Sequence, residues 1–147
     1  MKIMAVDFGD ARTGLAVCDR TEYMAEPIGV IHEKTFALVL QKVAIAAKEY
    51  DVAMIVVGYP KNMNGSIGPR AQKCADFAEK LKALVDIPVE LWDERSTTVS
   101  ATYFLNETNV RGKKRKAVID EVAATIILES YLAYRKNINQ QAQQPKE

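Results

Sequence analysis

The run Val52 to Val57, apolar throughout and closed by Gly58-Tyr59-Pro60, constrains this chain more than any other stretch. A strand with apolar side chains on both faces must be covered on both, which is the habit of parallel sheets whose helical crossovers lie above and below. The segment before it, Thr35 to Tyr50, carries Phe36, Val39, Leu40, Val43 and Ala47 at helical spacing, as a crossover should. Upstream again, Lys2 to Asp7, roughly Arg12 to Cys18, and Pro27 to His32 read as three short strands parted by turn signals. Connections that short make an antiparallel meander.

Downstream, Lys61 to Pro69 is rich in Gly, Pro and Asn and reads as a loop. A helix follows from about Arg70 with Cys74, Phe77, Ala78, Leu81 and Leu84 on one face, and Pro88 to Leu91 makes a short fifth strand. Ser96 can cap a helix carrying Val99, Tyr103 and Leu105, which frays near Asn106 to Asn109. The basic run Arg111 to Lys116 reads as a loop, and a last helix from about Ala117 presents Ile119, Val122, Ala123, Ile126 and Ser130. The polar stretch 136–147 is expected to be a disordered tail, leaving one domain over 1–135. The expected fold is α/β: a five-stranded mixed sheet, three antiparallel strands then two parallel, flanked by helices.

Charge adds little in total, since the chain carries net +1, but five of the six residues from Arg111 to Lys116 are basic, which marks a local anion site. Cys18 and Cys74 form no CxxC pair and read as buried thiols. The apolar start MKIMAVD is too short for a signal peptide, and no apolar run approaches a membrane span, so a cytoplasmic protein without membrane contact is expected.

Three carboxylates stand where chemistry would gather. Asp7 ends the first strand, Glu94 follows the fifth in WDERSTT, and Asp120 opens the last helix. Ligand sites of open α/β sheets lie at the carboxyl ends of parallel strands, and hard cations such as Mg²⁺ take oxygen donors from one or two carboxylates plus substrate phosphate. Each acid also has a plainer reading: Asp7 as a turn residue, Asp120 as a complement to its helix dipole. Asp93 and Glu94 are adjacent on a strand exit and must point to opposite faces, and spacing does not choose between them. On a helical wheel Asp120 falls near Ile127, whereas Glu121 points away from the apolar face. His32 has no partner base, so a nucleophilic triad is poorly supported.

The stretches AVDFGDARTGLAVCD, VVGYPKNMNGSIGPRA, WDERSTT and KKRKAVIDEVAATIILESYL, in this order and spacing, resemble the RuvX/YqgF family over nearly everything from Lys2 to Tyr134. The resemblance implies a ribonuclease H-like fold. It also implies a metal-dependent nuclease, acting either in 5′-end processing of pre-16S ribosomal RNA or as a Holliday junction resolvase on branched DNA. Its acidic triad falls on Asp7, Glu94 and Asp120, which would hold two Mg²⁺ or Mn²⁺ ions for in-line hydrolysis. Arg12, Arg111, Lys113, Lys114, Arg115 and Lys116 would then meet the nucleic-acid backbone through its phosphates. Under the RNA reading ribosomal particles are a partner; a four-way junction would favour a homodimer, and precursor RNA would be served by a monomer. The chain departs from the family pattern at Ala5, where a glycine is frequent ahead of the first Asp. Two other classes compete: an ATPase-like phosphate-binding domain, which in the sugar-kinase relatives needs a second such domain, and a nucleic-acid binding protein without catalysis.

Overall fold

The computed structural model describes residues 1–94 and 112–143 and, within the helix over 112–143, the side chains of 122–139. The expected helix after Ser96 lies outside the described residues, as does Arg111. Five strands, β1 (Ile3–Asp7), β2 (Arg12–Cys18), β3 (Ala25–His32), β4 (Met54–Tyr59) and β5 (Val89–Asp93), form one sheet in the order β3-β2-β1-β4-β5. β1 pairs antiparallel with β2 and parallel with β4, β2 antiparallel with β3, and β4 parallel with β5, which contains the expected antiparallel meander and two parallel strands. The register of β2 and β3 slips between Leu15 and Ala16, and Gly29, opposite Leu15, takes φ +140°, a backbone state open to glycine.

Strand alternation sends the two halves of each central strand to two separate cores. Met4, Val6, Ile55 and Val57 face helices α1 (Phe36–Glu49) and α2 (Pro69–Lys82), meeting Val39, Val43, Phe77 and Leu81. Ile3, Ala5, Met54 and Val56 face the long helix α3 (Gly112–Gln143), meeting Ala124, Ile127, Leu128 and Tyr131. Both faces of β4 are therefore dry, which is why its sequence alternates so little. Cys18 and Cys74 are free and buried. Among the described residues, no helix is long and apolar enough to cross a membrane.

Two boundaries and one helix face differ from the sequence reading. The basic run is not a loop where it is described: α3 already begins at Gly112, so Lys113 to Lys116 are helical. Lys and Arg are good helix formers, and Gly112 is the last helix breaker before the apolar pattern. The helix also runs to Gln143 rather than ending near Tyr134, because extending an existing helix through Asn, Gln, Ala and Lys needs no new nucleus. The helix is turned by about one residue from the expected face, burying Ala124, Ile127, Leu128, Tyr131 and Leu132 while Val122, Ala123, Ile126 and Ser130 flank them. Polar anchors set this rotation. The Tyr131 hydroxyl donates to Glu90 Oε2 at 2.9 Å, Trp92 Nε1 donates to Ser130 Oγ at 3.2 Å, and Arg135 Nε donates to Glu22 Oε1 at 2.6 Å.

Candidate active site

Because β1, β4 and β5 are parallel, their carboxyl ends share one edge of the sheet, and Asp7, Tyr59 and Glu94 all sit on it. The Glu94 amide donates to the Tyr59 carbonyl at 3.2 Å, carrying the β4–β5 ladder one residue past the end of β5. Alternation along β5 is then decisive between the two adjacent acids. Val89 belongs to the α1/α2 core while Glu90 and Trp92 meet α3, so Glu94 falls on the α3 face and Asp93 on the other. Asp7 follows Ile3 and Ala5 onto that same α3 face. The structure accordingly brings Glu94, and not Asp93, to Asp7.

Glycine makes the meeting possible. Asp7 is paired with Gly14 on β2, and on β4 the residue after the Val6–Val57 pair is Gly58. A Cβ at Gly58 would lie 2.7 Å from Glu94 Cδ, 2.8 Å from Glu94 Oε1 and 2.7 Å from Ile127 Cδ1. The Glu94 carboxyl thus fills the space a side chain at 58 would take, and Ile127 of α3 roofs it. The sequence reading treats Gly58 as the punctuation that ends a strand; β4 in fact continues through it to Tyr59. A glycine held inside an apolar strand is the signal for such a close approach.

Asp7 is only 8% exposed. Glu94 is partly buried beside it, and its carboxyl is pushed up to about 8, chiefly by burial and then by the negative charge of Asp7, with Arg70 pulling in the opposite direction. The two carboxyls are hydrogen-bonded, which requires that they share a proton. Cys74 lies near the pair, and burial, reinforced by the charge of Glu94, pushes its thiol to about 12. At neutral pH it offers no thiolate, so the donors here are oxygens. Two carboxylates that must share a proton in the absence of a cation have the chemistry of a hard-cation site. Among the described residues no group of three or more potential metal-binding side chains occurs.

The third expected acid, Asp120, lies in α3, but its side chain is outside the described residues. The course of the helix is clear. Ile127 stands at Gly58 on the carboxyl edge, Tyr131 at Glu90 and Arg135 at Glu22, so α3 descends away from the edge and its N-terminal part points back towards it. Position 120 precedes Ile127 by seven residues (127 − 120), on the same stripe of the helix and roughly 10 Å further along the axis. Lys113, Lys114, Arg115 and Lys116 occupy the opening turns of the same helix, with side chains outside the described residues. Arg12 begins β2, beyond the Asp7–Gly14 pair on this edge. Trp92 is tied to Ser130 and packs edge-on against Tyr131 with ring centroids 5.3 Å apart, which makes it a core and rim residue. Arg70, at the start of α2, marks in the sequence only where a helix begins; its exposed charge acts on Glu94.

A five-stranded mixed sheet of this order, with two carboxyls joined at the carboxyl edge under a C-terminal helix, defines a ribonuclease H-like protein. Solved structures share the fold: the Thermus thermophilus RuvC complex with a Holliday junction substrate gives a TM-score of 0.57 at 12% identity, covering 92% of this chain and 96% of that one. The fowlpox virus Holliday junction resolvase gives 0.54 at 16% identity, covering 91% and 99%. The family model described as "RuvX: Holliday junction resolvase" matches residues 1–134, and the chain belongs to this family. Among sequence relatives, a protein of Halothermothrix orenii named "Putative pre-16S rRNA nuclease" is 46% identical over 139 residues, 95% of this chain and 99% of the relative. One of the same name from Caldanaerobacter subterraneus subsp. tengcongensis is 46% identical over 138 residues, 93% and 99%.

Proposed function

We propose that this chain is a divalent-metal-dependent nuclease that hydrolyses phosphodiester bonds in the 5′-end processing of pre-16S ribosomal RNA. The observation that carries the reading is the hydrogen-bonded Asp7–Glu94 pair at the carboxyl edge, with Gly58 leaving room for it. The names of the closely similar relatives support the substrate class. Branched DNA is the second reading, favoured by the family description.

Asp7, Glu94 and Asp120 would hold Mg²⁺ or Mn²⁺, two ions in the fullest form of the site. Bound there, such cations lower the pKa of a coordinated water and stabilise charge on the attacked and leaving oxygens. The chain's own contributions follow from its geometry. Burial and the pairing of Asp7 with Glu94 strengthen their demand for positive charge, because like charges in a poorly solvated site destabilise each other. Strand and helix backbones hold the carboxyls, so little reorganisation is needed on binding. Arg12 and the basic turns at the start of α3 would neutralise substrate phosphates and orient the strand without reading its sequence. Ribosomal particles would present the precursor as substrate.

The test is cleavage of a labelled pre-16S RNA fragment, the matching DNA and a four-way junction by wild type and Asp7→Asn, with Mg²⁺, Mn²⁺ or chelator. Metal-dependent cutting of the RNA, lost in Asp7→Asn while the fold is kept, is the expected result. Preferred cutting of the junction would transfer the assignment to branched DNA. Full activity of Asp7→Asn would remove the carboxylate mechanism.

A further inference from the structure

A pocket of about 210 Å³ opens on the α2 side of the carboxylate pair, lined by Phe8, Gly9, Asp10, Pro69, Arg70, Lys73 and Cys74. It begins at the residue immediately after Asp7. Phe8 and Cys74 are buried and form an apolar floor, while Arg70 and Lys73 are exposed and stand one helical turn apart at the rim. Gly9 forms the near wall and sits against the Arg12 carbonyl, so close that a side chain at this position would collide with it. None of these residues belongs to the carboxylate set or to the basic turns of α3.

We propose that this pocket is a subsite for one backbone phosphate of the substrate strand, next to the phosphate being cut, with Arg70 as its principal ligand and Lys73 as a second. The inference rests on the nuclease reading of the Asp7–Glu94 pair. A volume of about 210 Å³ accommodates a phosphate group, and the space continues past Phe8, Gly9, Asp10 and Lys73 into a neighbouring cavity of about 520 Å³ that leaves room for the rest of the strand. Charge restricts the occupant. Lys73 Nζ already lies 3.2 Å from Asp10 Oδ1, but both partners are exposed, and such pairs contribute little, so a phosphate can take Lys73 over from Asp10. Arg70 contributes a planar fork suited to two phosphate oxygens at once. Its charge also reaches Glu94, so a strand held by Arg70 would lie alongside the carboxyls. Arg70 is thus a binding and positioning residue: it would set where the strand lies, while the carboxyls carry the chemistry.

The experiment measures binding of a short single-stranded RNA oligonucleotide to the full chain carrying Asp7→Asn, which prevents cutting, with and without Arg70→Ala or Arg70→Lys, across a range of salt concentrations. Each phosphate contact on a single strand contributes about −0.7 to the slope of log K against log salt. Arg70→Ala should flatten the slope by about that amount and weaken binding about tenfold at low salt, and Arg70→Lys should restore the slope but only part of the affinity. In the otherwise wild-type chain, Arg70→Ala should raise KM more than it lowers kcat. Identical slopes for Arg70 and Arg70→Ala, or no measurable oligonucleotide binding, would overturn the subsite. The two readings separate cleanly: a slope change in the Asp7→Asn chain together with no cleavage by the wild type keeps the subsite and removes the nuclease, whereas wild-type cleavage that Arg70→Ala leaves unchanged does the reverse.

Discussion

Adding one methyl group at Gly58 should silence the site while leaving the fold standing. The new Cβ would lie 2.7 Å from Glu94 Cδ and 2.7 Å from Ile127 Cδ1. Carbon atoms rest at about 3.5–4.0 Å, so each neighbour must retreat by about 1 Å. Both contacts are with the far ends of flexible side chains, which can swing without moving the backbone. Overpacking of this kind costs about 1–3 kcal/mol, and the Gly→Ala change returns about 0.4–1 kcal/mol by restricting the unfolded chain. A net loss of about 1–2 kcal/mol lowers Tm by only a few degrees in a protein of this length. The consequence for chemistry is far larger, since a misplacement of about 1 Å at a reacting centre can lower the rate about a hundredfold. Thermal unfolding by circular dichroism, set beside the Mg²⁺-dependent cleavage rate, reads both quantities from one preparation. Adding Ile127→Val removes the Cδ1 atom and should relieve part of the stability loss without recovering activity, because Glu94 remains displaced. Gly58→Ala cleaving at the wild-type rate would refute the slot, and so would full recovery of activity by Ile127→Val.

Two further outcomes follow from charge. The Glu94 carboxyl keeps its proton up to about pH 8 in the folded chain against an ordinary value of 4.5, so between those limits the folded state binds more protons than the unfolded one. The contribution of this group is fully present below about pH 4.5 and is lost as pH rises through about 8; without metal, Glu94→Gln should therefore gain on the wild type by a few kcal/mol towards alkaline pH, seen in urea unfolding at a series of pH values. Parallel profiles would refute the shared proton. Replacing Lys113, Lys114 and Arg115 with Ala should flatten the salt dependence of RNA binding by up to about three phosphate contacts, and an unchanged slope would mean that this turn of α3 faces only solvent.

The sheet was readable because its signals are local. The apolar run of β4, the helical spacing ahead of it and the short turns between β1, β2 and β3 each point to a meander joined to parallel strands, while the place of β4 beside β1 is seen only in the folded sheet. The errors lie where local signals are ambiguous and tertiary contacts decide. Ile126, Ile127 and Leu128 are consecutive and apolar, so the pattern of α3 alone allows two adjacent faces; the pull of Glu90 on Tyr131 and of Glu22 on Arg135 selects one of them. The basic run has no apolar period at all, and its helical state comes from the segment that follows.

The site divides along the same line. A carboxylate at the end of a central strand can be found from sequence, as Asp7 was, but the choice between Asp93 and Glu94 needs the strand's phase. That phase is set at Val89 by the α1/α2 core, five residues from the chemistry (94 − 89). Gly58 and Arg70 were missed for a different reason. One acts by the atoms it lacks, and the other by a charge brought near from the far side of a nine-residue turn, Pro60 to Gly68, which no spacing rule connects to Asp7. What Gly58 permits is a close approach of two carboxyls, which can be held together only while they share a proton or another positive charge. Since a methyl group at 58 would overpack the slot as well as displace Glu94, the same glycine serves the packing of Ile127 and the meeting of the two carboxyls.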